Sequence, residues 1–434
     1  MAADLSRAGS VTGGAVAASA VADRVVPFGV PATPGEPTLR WTGHASSVAE
    51  IERELGRIWR LPQSPASRGG PAERAIAGRT SVLNLVVVAR TPELGERAAA
   101  TLKMGTGRHP SRTLILVPTD PDGPAWLRAD VKAYCMTPRA DGPETCAEQV
   151  YVTAGGDTGR HLDAIVAPLL VHDLPVTVWW PGDPPFGTIL ANALVGSADR
   201  LVVDGSRWSG DGLERLRSLA ALARSALPIS DFALMRQARW REAVASVFDR
   251  AELQPYLQSL RRIAVTYATS GGPGAEAATN LVKPIYHVAW LASRLELQVA
   301  TPLARGGRIT EAGRDLRTLL ARERGSGAEV LLQPVVSQAP GGTTLRVELL
   351  AERRGSKLRV EVTAEAESVC VQVHLDGAAT LERTFHAARR TDADLLTEAI
   401  EAGGHDPVAE GTLDTAARLA GSEPVKAAPV GGDA

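Results

Sequence analysis

The chain has few cysteines, few aromatic residues and almost no net charge. Its 434 residues carry 47 basic and 49 acidic side chains, which gives a formal net charge of −2. A balance this close to neutral provides no general attraction to nucleic acid or to an anionic membrane, so we expect neither as a partner. Only five of the basic residues are lysines. A coding bias of the genome or an arginine-bearing functional surface would account for that excess of arginine.

The cysteine content disfavours a disulfide framework. Cys135, Cys146 and Cys370 form no Cys-x-x-Cys pair, and their number is odd. The same spacing disfavours a zinc site, and we expect reduced thiols in a cytoplasmic protein. A bridge between Cys135 and Cys146 across adjacent strands is the alternative.

Long apolar runs are also lacking. The longest in the first half, Val82–Ala89, contains Asn84 and is too short to cross a bilayer. The amino terminus has no basic segment followed by a continuous apolar core, which is the pattern of a signal peptide. We therefore expect no membrane partner.

The common catalytic signatures are missing. The sequence contains no phosphate-binding Gly-x-x-x-x-Gly-Lys-[Ser/Thr] loop, no His-Glu-x-x-His and no Gly-x-Ser-x-Gly. The segment 105–110 begins like a dinucleotide fingerprint, but Pro110 stands where the third glycine belongs, and a strand follows instead of a helix. We expect no catalytic residue, no metal and no cofactor.

The pattern of apolar residues predicts an α/β protein. Between residues 80 and 231, apolar strand-like runs such as Val82–Ala89 and Val176–Trp180 alternate with helical segments such as 92–103 and 212–224. This alternation indicates a mainly parallel sheet flanked by helices. A helical section over 232–260 follows, and then a strand over 262–269. The same patterns predict helices at 46–60, 160–171, 186–194 and 275–297, and strands at 113–117, 131–136, 148–153 and 201–204.

The last third has a different pattern. Runs at 330–336, 344–350, 358–363 and 368–375 are spaced like antiparallel strands joined by hairpins, and a helix over 391–402 follows. We predict a mobile arm over 1–44, a linker over 61–78, an α/β domain over 45–231, a C-terminal α+β domain with an antiparallel sheet over 232–420, and a disordered tail over 421–434.

Paired tryptophans end one predicted strand. Trp179 and Trp180 run into the turn Pro181-Gly182 and point to opposite faces of the sheet. Indole rings at this position pack on the core or contact another protein, and we predict that one of the two reaches a partner. Trp240 and Arg241, on the predicted helix over 232–248, form a second aromatic and basic pair that is typical of interfaces. Helical spacing with Leu234 makes a core position for Trp240 the alternative.

A polar cluster precedes the strand at 113. It consists of Arg108, His109, Ser111 and Arg112, and such a group could hold a phosphate or a carboxylate of a partner. A solvated turn whose arginines pair with acidic neighbours is equally consistent with the sequence. His161, His172 and Asp173 flank the helix before the tryptophan strand. We interpret the last two as structural, with proton transfer as the alternative.

In order and spacing, a series of these motifs resembles the OpcA family of glucose-6-phosphate dehydrogenase assembly proteins. The resemblance covers roughly residues 45–400. It is carried by the segments Arg79–Val87, Arg108–Arg112, Cys146–Val150, His161-Leu162, Pro168–Leu170, Asp173–Val176, Trp179–Gly182, Asp231-Phe232 and Trp240-Arg241.

The resemblance implies a non-catalytic protein that binds glucose-6-phosphate dehydrogenase, promotes its active oligomer and so supports NADPH production. It also implies an N-terminal α/β domain and a C-terminal α+β domain. Redox control through cysteines, which it implies for cyanobacterial relatives, is not expected here, because the sequence suggests no cysteine pair. We predict partner contacts or supporting roles for Arg108, His109, Ser111, Arg112, Trp179, Trp180, Trp240 and Arg241. A sugar-phosphate-binding protein or enzyme that uses the Arg108–Arg112 cluster is the alternative, and the sequence leaves a small effector open.

Overall fold

The first sheet has eight strands, and six neighbouring strands of it are parallel. A computed structural model describes residues 24–27, 30, 33–59, 81–137, 144–225, 227–272, 278–323, 327–365 and 367–421. The predicted linker, the first part of the arm and nearly all of the tail lie outside these residues. In chain order the strands are β1 (Thr38–Ala45), β2 (Leu83–Val88), β3 (Ser111–Thr119), β4 (Trp126–Met136), β5 (Thr145–Gly155), β6 (Val176–Trp180), β7 (Arg200–Val203) and β8 (Ile229–Asp231). Their spatial order is β1-β4-β5-β3-β2-β6-β7-β8.

The parallel part of this sheet confirms the predicted α/β class. β2, β3, β5, β6, β7 and β8 pair in parallel, and β4 and β1 add an antiparallel edge. Apart from Asn84 and Thr177, β2 and β6 consist of Val, Leu and Trp, and neither strand has an exposed position, which is typical of strands covered on both faces. The helices of this region are α1 (Val48–Ile58), α2 (Pro92–Met104), α3 (Gly156–Arg160), α4 (Asp163–Leu169), α5 (Ile189–Ser197) and α6 (Leu213–Ala223).

Two local predictions differ from the structure. The predicted helix over 160–171 is divided into α3 and α4, because His161 leaves the helical region at φ −112° and ψ 38°. The predicted mobile arm extends too far, because Thr38–Ala45 is strand β1 on the sheet edge. The buried guanidinium of Arg40 anchors this strand: it donates to Glu144 Oε1 at 2.6 Å and to the carbonyl oxygens of Pro27 and Val30 at 2.8 and 2.9 Å.

The cysteine prediction is wrong for one pair. Cys135 on β4 and Cys146 on β5 lie directly opposite each other with their Cα atoms 4.0 Å apart, and their sulfurs form a disulfide. This is the alternative that adjacent strands allow, since directly opposed residues of an antiparallel pair bring their Cβ atoms close together. Cys370 is a free thiol.

The second sheet has nine strands and is mixed. After α7 (Phe232–Met235) and α8 (Ala238–Phe248), a 3-10 turn over Gln254–Ser259 leads into β9 (Leu260–Thr269) and then α9 (Val282–Arg294). The remaining strands are β10 (Gln298–Val299), β11 (Ala304–Thr310), β12 (Gly313–Ala321), β13 (Ala328–Val336), β14 (Thr344–Arg353), β15 (Ser356–Glu365), β16 (Ser368–Leu375) and β17 (Ala378–His386). Their order is β10-β12-β13-β9-β14-β15-β16-β17, and β11 pairs with β12.

The antiparallel prediction holds for most of this sheet. The exception is β9, which pairs in parallel with β13 and therefore joins the helical section to the hairpins. The predicted turn at Arg354-Gly355 is present, and both residues have positive φ, 53° and 85°. The sequence patterns missed β10, β11, β12 and β17. The predicted helices over 232–248 and 275–297 extended across a bend at Arg236-Gln237 and across the non-helical residues 279–281.

Two C-terminal helices return to the first sheet. α10 (Asp392–Glu401) lies within the helix predicted over 391–402 and is preceded by a capping box between Thr391 and Asp394, and α11 (Pro407–Leu419) packs between α9 and α6. Leu395, Leu396 and Ala399 of α10 lie in one buried cluster with residues of β2, β3, β6 and β7. α10 therefore covers a face of the first sheet, although it follows the second sheet in sequence.

Within the described residues, no helix is both long enough and apolar enough to span a membrane.

We expect Leu395→Ala to destabilise the protein by about 2–5 kcal/mol, because Leu395 is 0 % exposed between α10 and the first sheet. Urea unfolding followed by tryptophan fluorescence measures this loss. Leu319→Ala is the control, since Leu319 is 58 % exposed and its truncation should cost less than about 1 kcal/mol. Equal effects of the two substitutions would show that α10 does not cover this sheet in solution.

Candidate functional site at the carboxyl edge of the first sheet

The first sheet reverses its strand order between β2 and β6. From β2 the chain moves to β3 and β5 on one side, and then crosses to β6, β7 and β8 on the other. In open parallel sheets, ligands bind outside the carboxyl ends of the strands at such a reversal. The crevice at the carboxyl ends of β2, β6, β7 and β8 is therefore the candidate site, and we call it the switch-point crevice.

The turn after β2 differs from a dinucleotide-binding loop. Counted back from Gly95 with the Gly-x-Gly-x-x-Gly spacing, the first two glycine positions are Arg90 and Pro92. Gly95 keeps the third role, since a Cβ there would lie 2.5 Å from the Tyr151 hydroxyl and 2.8 Å from Val117 Cγ2. It lets α2 approach the sheet closely, whereas the two residues that would let a pyrophosphate approach the backbone are replaced.

A carboxylate occupies the start of α2. The Glu93 side chain receives hydrogen bonds from its own backbone N–H and from the Thr91 hydroxyl, and these lower its pKa. A helix N-terminus attracts anions, and here the protein supplies the anion itself. The position that a phosphate takes in dinucleotide-binding proteins therefore already carries negative charge.

Asp204 is the centre of a buried ion network in the switch-point crevice. It follows β7, is 1 % exposed, and accepts hydrogen bonds from Arg236 Nη1 at 2.8 Å, Arg207 Nε at 2.8 Å and the Ser206 hydroxyl at 2.6 Å. Burial alone would raise the pKa of Asp204. The hydrogen bonds and charge of Arg236, with the Ser206 hydroxyl and Arg207, outweigh burial and hold this pKa below its usual range. Asp204 is therefore a buried anion that stays charged.

Asp392, the first residue of α10, closes the network from the other side of the crevice. Its carboxylate accepts from Arg236 Nη2 at 2.8 Å and Arg207 Nη2 at 3.1 Å, and it lies 3.8 Å from Arg97 Nε. Burial and the nearby Arg207 lower the pKa of Arg97, although the two aspartates oppose this effect. Three arginines and two aspartates from distant parts of the chain thus meet in the crevice. Arg207 and Arg236 each donate to both aspartates, whereas Arg97 Nε is buried without a hydrogen-bond partner among the described residues.

A second buried pair joins the crevice to α9. Asp231 Oδ2 at the end of β8 accepts from the Tyr286 hydroxyl at 2.7 Å, and Oδ1 accepts from the backbone N–H groups of Gly205 and Ala233 at 2.9 and 2.8 Å. Burial raises the pKa of Asp231 to about 6, against these hydrogen bonds. Burial and the neighbouring Asp231 raise the pKa of Tyr286 well above its usual range. The pair connects the two sheets through groups that water does not reach.

The predicted tryptophan surface is buried. Trp179 and Trp180 are each 1 % exposed on opposite faces of the sheet. Trp179 packs 6.0 Å from Phe232 in the cluster that α10 covers, and Trp180 packs edge-on to Phe186 at 5.6 Å in the main core. The prediction that one ring reaches a partner is wrong for this structure, because α10 covers the face that the local sequence left open.

Trp240 and Arg241 are also largely internal. Trp240 is 9 % exposed, and its ring lies 4.9 Å from His287 of α9. Arg241 Nη1 donates to the Leu234 carbonyl at 2.6 Å, and burial lowers the pKa of its guanidinium. Both side chains lie between α8 and α9. Trp240 therefore has the core position that its helical spacing gave as the alternative.

The Arg108–Arg112 cluster lies at the amino edge of the sheet, opposite the crevice. Buried Arg112 donates to Glu148 at 2.6 Å and to the Leu169 carbonyl at 2.9 Å, and the Ser111 hydroxyl lies 3.1 Å from that of Thr113. Arg108 and His109 both pair with Glu401 at the end of α10, at 3.4 and 3.2 Å. The cationic side chains that were predicted to bind a phosphate are thus paired with acidic residues of the protein itself.

The histidines do not join this cluster. His161 follows β5 and lies 3.7 Å from Asp157, whereas His172 precedes β6 and belongs to the amino edge. The sequence patterns did not predict a role for Asp204, Arg207, Arg236 or Asp392. A usable signal was that Asp204 ends the strand predicted over 201–204, which places it at the carboxyl edge of a parallel sheet.

We expect Asp231→Asn to remove part of the pH dependence of stability. A carboxyl whose pKa rises on folding from 3.8 to about 6 contributes stability that is present below pH 4 and is lost as the pH rises through 6. The stability of the wild type relative to the variant should therefore fall by about 2–3 kcal/mol between pH 4 and pH 7, as measured by urea unfolding.

Asp122→Asn is the control for this comparison, because the Asp122 side chain is 96 % exposed. Its difference from the wild type should stay flat over the same range. A flat difference for Asp231→Asn as well would contradict a buried, proton-binding carboxyl.

The chain is similar to proteins of one family and, more weakly, to several solved structures. Among solved structures, an aldose-aldose oxidoreductase from Caulobacter crescentus aligns with 78 % of this chain and 97 % of its own at 13 % identity and a TM-score of 0.41. A myo-inositol 2-dehydrogenase from Lactobacillus plantarum aligns with 77 % of this chain and 94 % of its own, at 9 % identity and a TM-score of 0.41. Scores this low carry no argument about either fold or activity.

Two family models match in succession, and both describe a "glucose-6-phosphate dehydrogenase subunit". The model of its N-terminal domain matches residues 104–221, and the model of its C-terminal domain matches residues 227–413. Cyanobacterial proteins called OxPP cycle protein OpcA are similar: that of Synechococcus elongatus is 26 % identical over 73 % of this chain and 69 % of its own length. The Nostoc punctiforme protein is 25 % identical over 57 % of this chain and 48 % of its own length, so this match spans about half of the relative. Because the two models together cover more than half of the sequence, in order, the chain belongs to the OpcA family.

Proposed function

We propose that this protein is a non-catalytic assembly factor and activator of glucose-6-phosphate dehydrogenase that favours the enzyme's active oligomer. The observation that carries the proposal is the succession of the two family models along residues 104–413. Activation of that enzyme would place the protein in the oxidative pentose phosphate pathway, as a regulator of NADPH production.

The filled switch-point crevice supports a partner role over hydride transfer. Glu93 places a carboxylate at the start of α2, and Asp392 closes the strand ends through Arg207 and Arg236. A dinucleotide would have to displace this network and leave buried charges unpaired, which costs several kcal/mol. A chain whose crevice is filled by its own contacts is better suited to binding another protein.

Activation by binding follows from linkage. If the protein binds the active oligomer more tightly than the inactive form, it shifts the population toward activity by that difference in affinity. A preference of about 100-fold corresponds to about 2.7 kcal/mol, which is enough to convert a minor active state into the major one. No new catalytic group is required in this mechanism.

Arg108 is the contact candidate that the structure leaves most accessible. Its side chain is 69 % exposed, whereas Arg112 and the three tryptophans lie inside the protein and can only support a contact surface. The alternative, a sugar-phosphate site formed by Arg108–Arg112, is not favoured, because Glu148 and Glu401 already pair with its cations.

Two measurements test the proposal. One is the initial rate of the same organism's glucose-6-phosphate dehydrogenase with and without this protein. The other is the mass of the complex, measured by size-exclusion chromatography with light scattering. We expect a higher rate and a co-eluting complex. An unchanged rate with no complex would overturn the proposal.

Arg108→Ala should weaken activation by about 10-fold or more, as expected for the loss of an exposed interface arginine. Glu401→Gln is the matched control, because it breaks the same intramolecular pair and leaves the arginine in place. Full activation by Arg108→Ala, or equal losses in both variants, would remove Arg108 from the contact surface without affecting the proposed function.

A further inference from the structure

The second sheet has one face that no described helix covers. α8 and α9 pack on the other face, where alternate residues of β14, β15 and β16 are buried. On the uncovered face, one cross-strand row runs in register through five strands. It consists of Glu329 on β13, Arg262 on β9, Leu350 on β14, Arg359 on β15 and His374 on β16.

A cavity of about 510 Å³ lies along this row. Basic residues predominate in its lining, which also includes Glu329 and Glu352, and Leu350 is part of its floor. We call it the cationic pocket, and its basic residues are Arg261, Arg262, Lys357, Arg359 and His374. Its volume lies within the range of roughly 300–1,000 Å³ that small-molecule sites occupy.

Acidic side chains pair with two of the arginines of the cationic pocket. Arg262 pairs with Glu329 at 2.8 Å, and Arg359 pairs with Glu348 and Glu361 at 2.7 Å each. Lys357 and Arg261 have no ion pair to another side chain within the described part of the chain. The Asp376 carboxylate beside Lys357 accepts instead from the Lys357 backbone N–H and the Ser356 hydroxyl, both at 2.7 Å.

His374 supplies an independent observation. Its Nδ1 atom is buried and has no hydrogen-bond partner among the described residues. Buried polar atoms are nearly always hydrogen-bonded, so this ring nitrogen has the capacity for one further hydrogen bond. His374 lies directly opposite Arg359, and Lys357 is two residues from Arg359 on the same face.

We propose that the cationic pocket binds a small phosphorylated metabolite. Lys357, Arg359 and His374 donate to the phosphate oxygens, and the uncharged part of the molecule lies on Leu350. Arginine provides a fork that matches two phosphate oxygens, and lysine a mobile point charge. This inference is independent of the proposed function, because it rests only on the second sheet.

Isothermal titration of the full-length protein with phenyl phosphate, a phosphate monoester with an apolar body, tests the inference. Inorganic phosphate is the second probe, and sodium chloride at equal ionic strength controls for screening. We expect phenyl phosphate to bind at least about 10-fold more tightly than inorganic phosphate, which is about 1.4 kcal/mol. A response no greater than that of chloride would overturn the inference.

The double variant Lys357→Gln/His374→Gln should weaken phenyl phosphate binding by about 10-fold or more. Arg239→Gln is the matched control, since Arg239 is an exposed arginine that pairs with Glu242 at 2.6 Å, away from the pocket. Arg359 is left intact because its two ion pairs hold neighbouring strands together. Equal affinities of the wild type and the double variant would place the ligand elsewhere and refute the inference.

Chemical shifts of the histidine rings provide a test that does not depend on any substitution. Phenyl phosphate should shift the His374 ring resonances and leave those of His44 unchanged, because His44 pairs with Asp130 on the first sheet. An unchanged His374 signal at saturating ligand would likewise refute the inference.

Discussion

The arrangement of the two sheets depends on the ion pairs that the buried Asp204 carboxylate makes with Arg207 and Arg236. This carboxylate remains charged at the end of β7 because Arg236 and Arg207 surround it, and Asp392 binds the outer side of the same two arginines. Removing either arginine would leave the buried Asp204 carboxylate short of partners, which costs more than the pair itself contributes. The alternating charges therefore fix where α7 leaves the first sheet and where α10 returns to it.

α10 is attached to the first sheet at both ends. Asp392 binds arginines at the carboxyl edge, while Glu401 meets Arg108 and His109 at the amino edge. Between them, Leu395, Leu396 and Ala399 bury the face that contains Trp179. Apolar burial supplies the stabilisation, and the charged ends fix the position of the helix along the strands. The ion pair of Arg108 and the closure of the switch-point crevice thus both depend on α10.

Local signals allowed much of the fold to be predicted from the sequence. The strand Val176–Trp180 and the helices predicted over 46–60 and 391–402 depend on patterns within a few consecutive residues, and the structure contains each of them. The candidate site could not be predicted in the same way. Arg236 and Asp392 are 156 residues apart, and their contact exists only because the chain runs through the second sheet before α10 returns to the first sheet. The tryptophans were misjudged for this reason, since no local pattern shows that a distant helix covers Trp179. Strand β1 was missed, because Arg40 occupies a buried position that only Glu144 and nearby carbonyl groups make acceptable.

The two sheets use their open positions in opposite ways. At the switch-point crevice the protein fills a position where such sheets commonly bind ligands with its own carboxylates, whereas the cationic pocket keeps donors that its own acids do not satisfy. One short stretch of chain connects the two places: His374 is paired with Ala379 on β17, and six residues after β17 ends, Asp392 begins α10. A ligand in the pocket would influence the crevice only if it bound two arrangements of this stretch with different affinities, since equal affinity shifts no population. The geometry supplies the connection, and the difference in affinity would determine whether that connection regulates the protein.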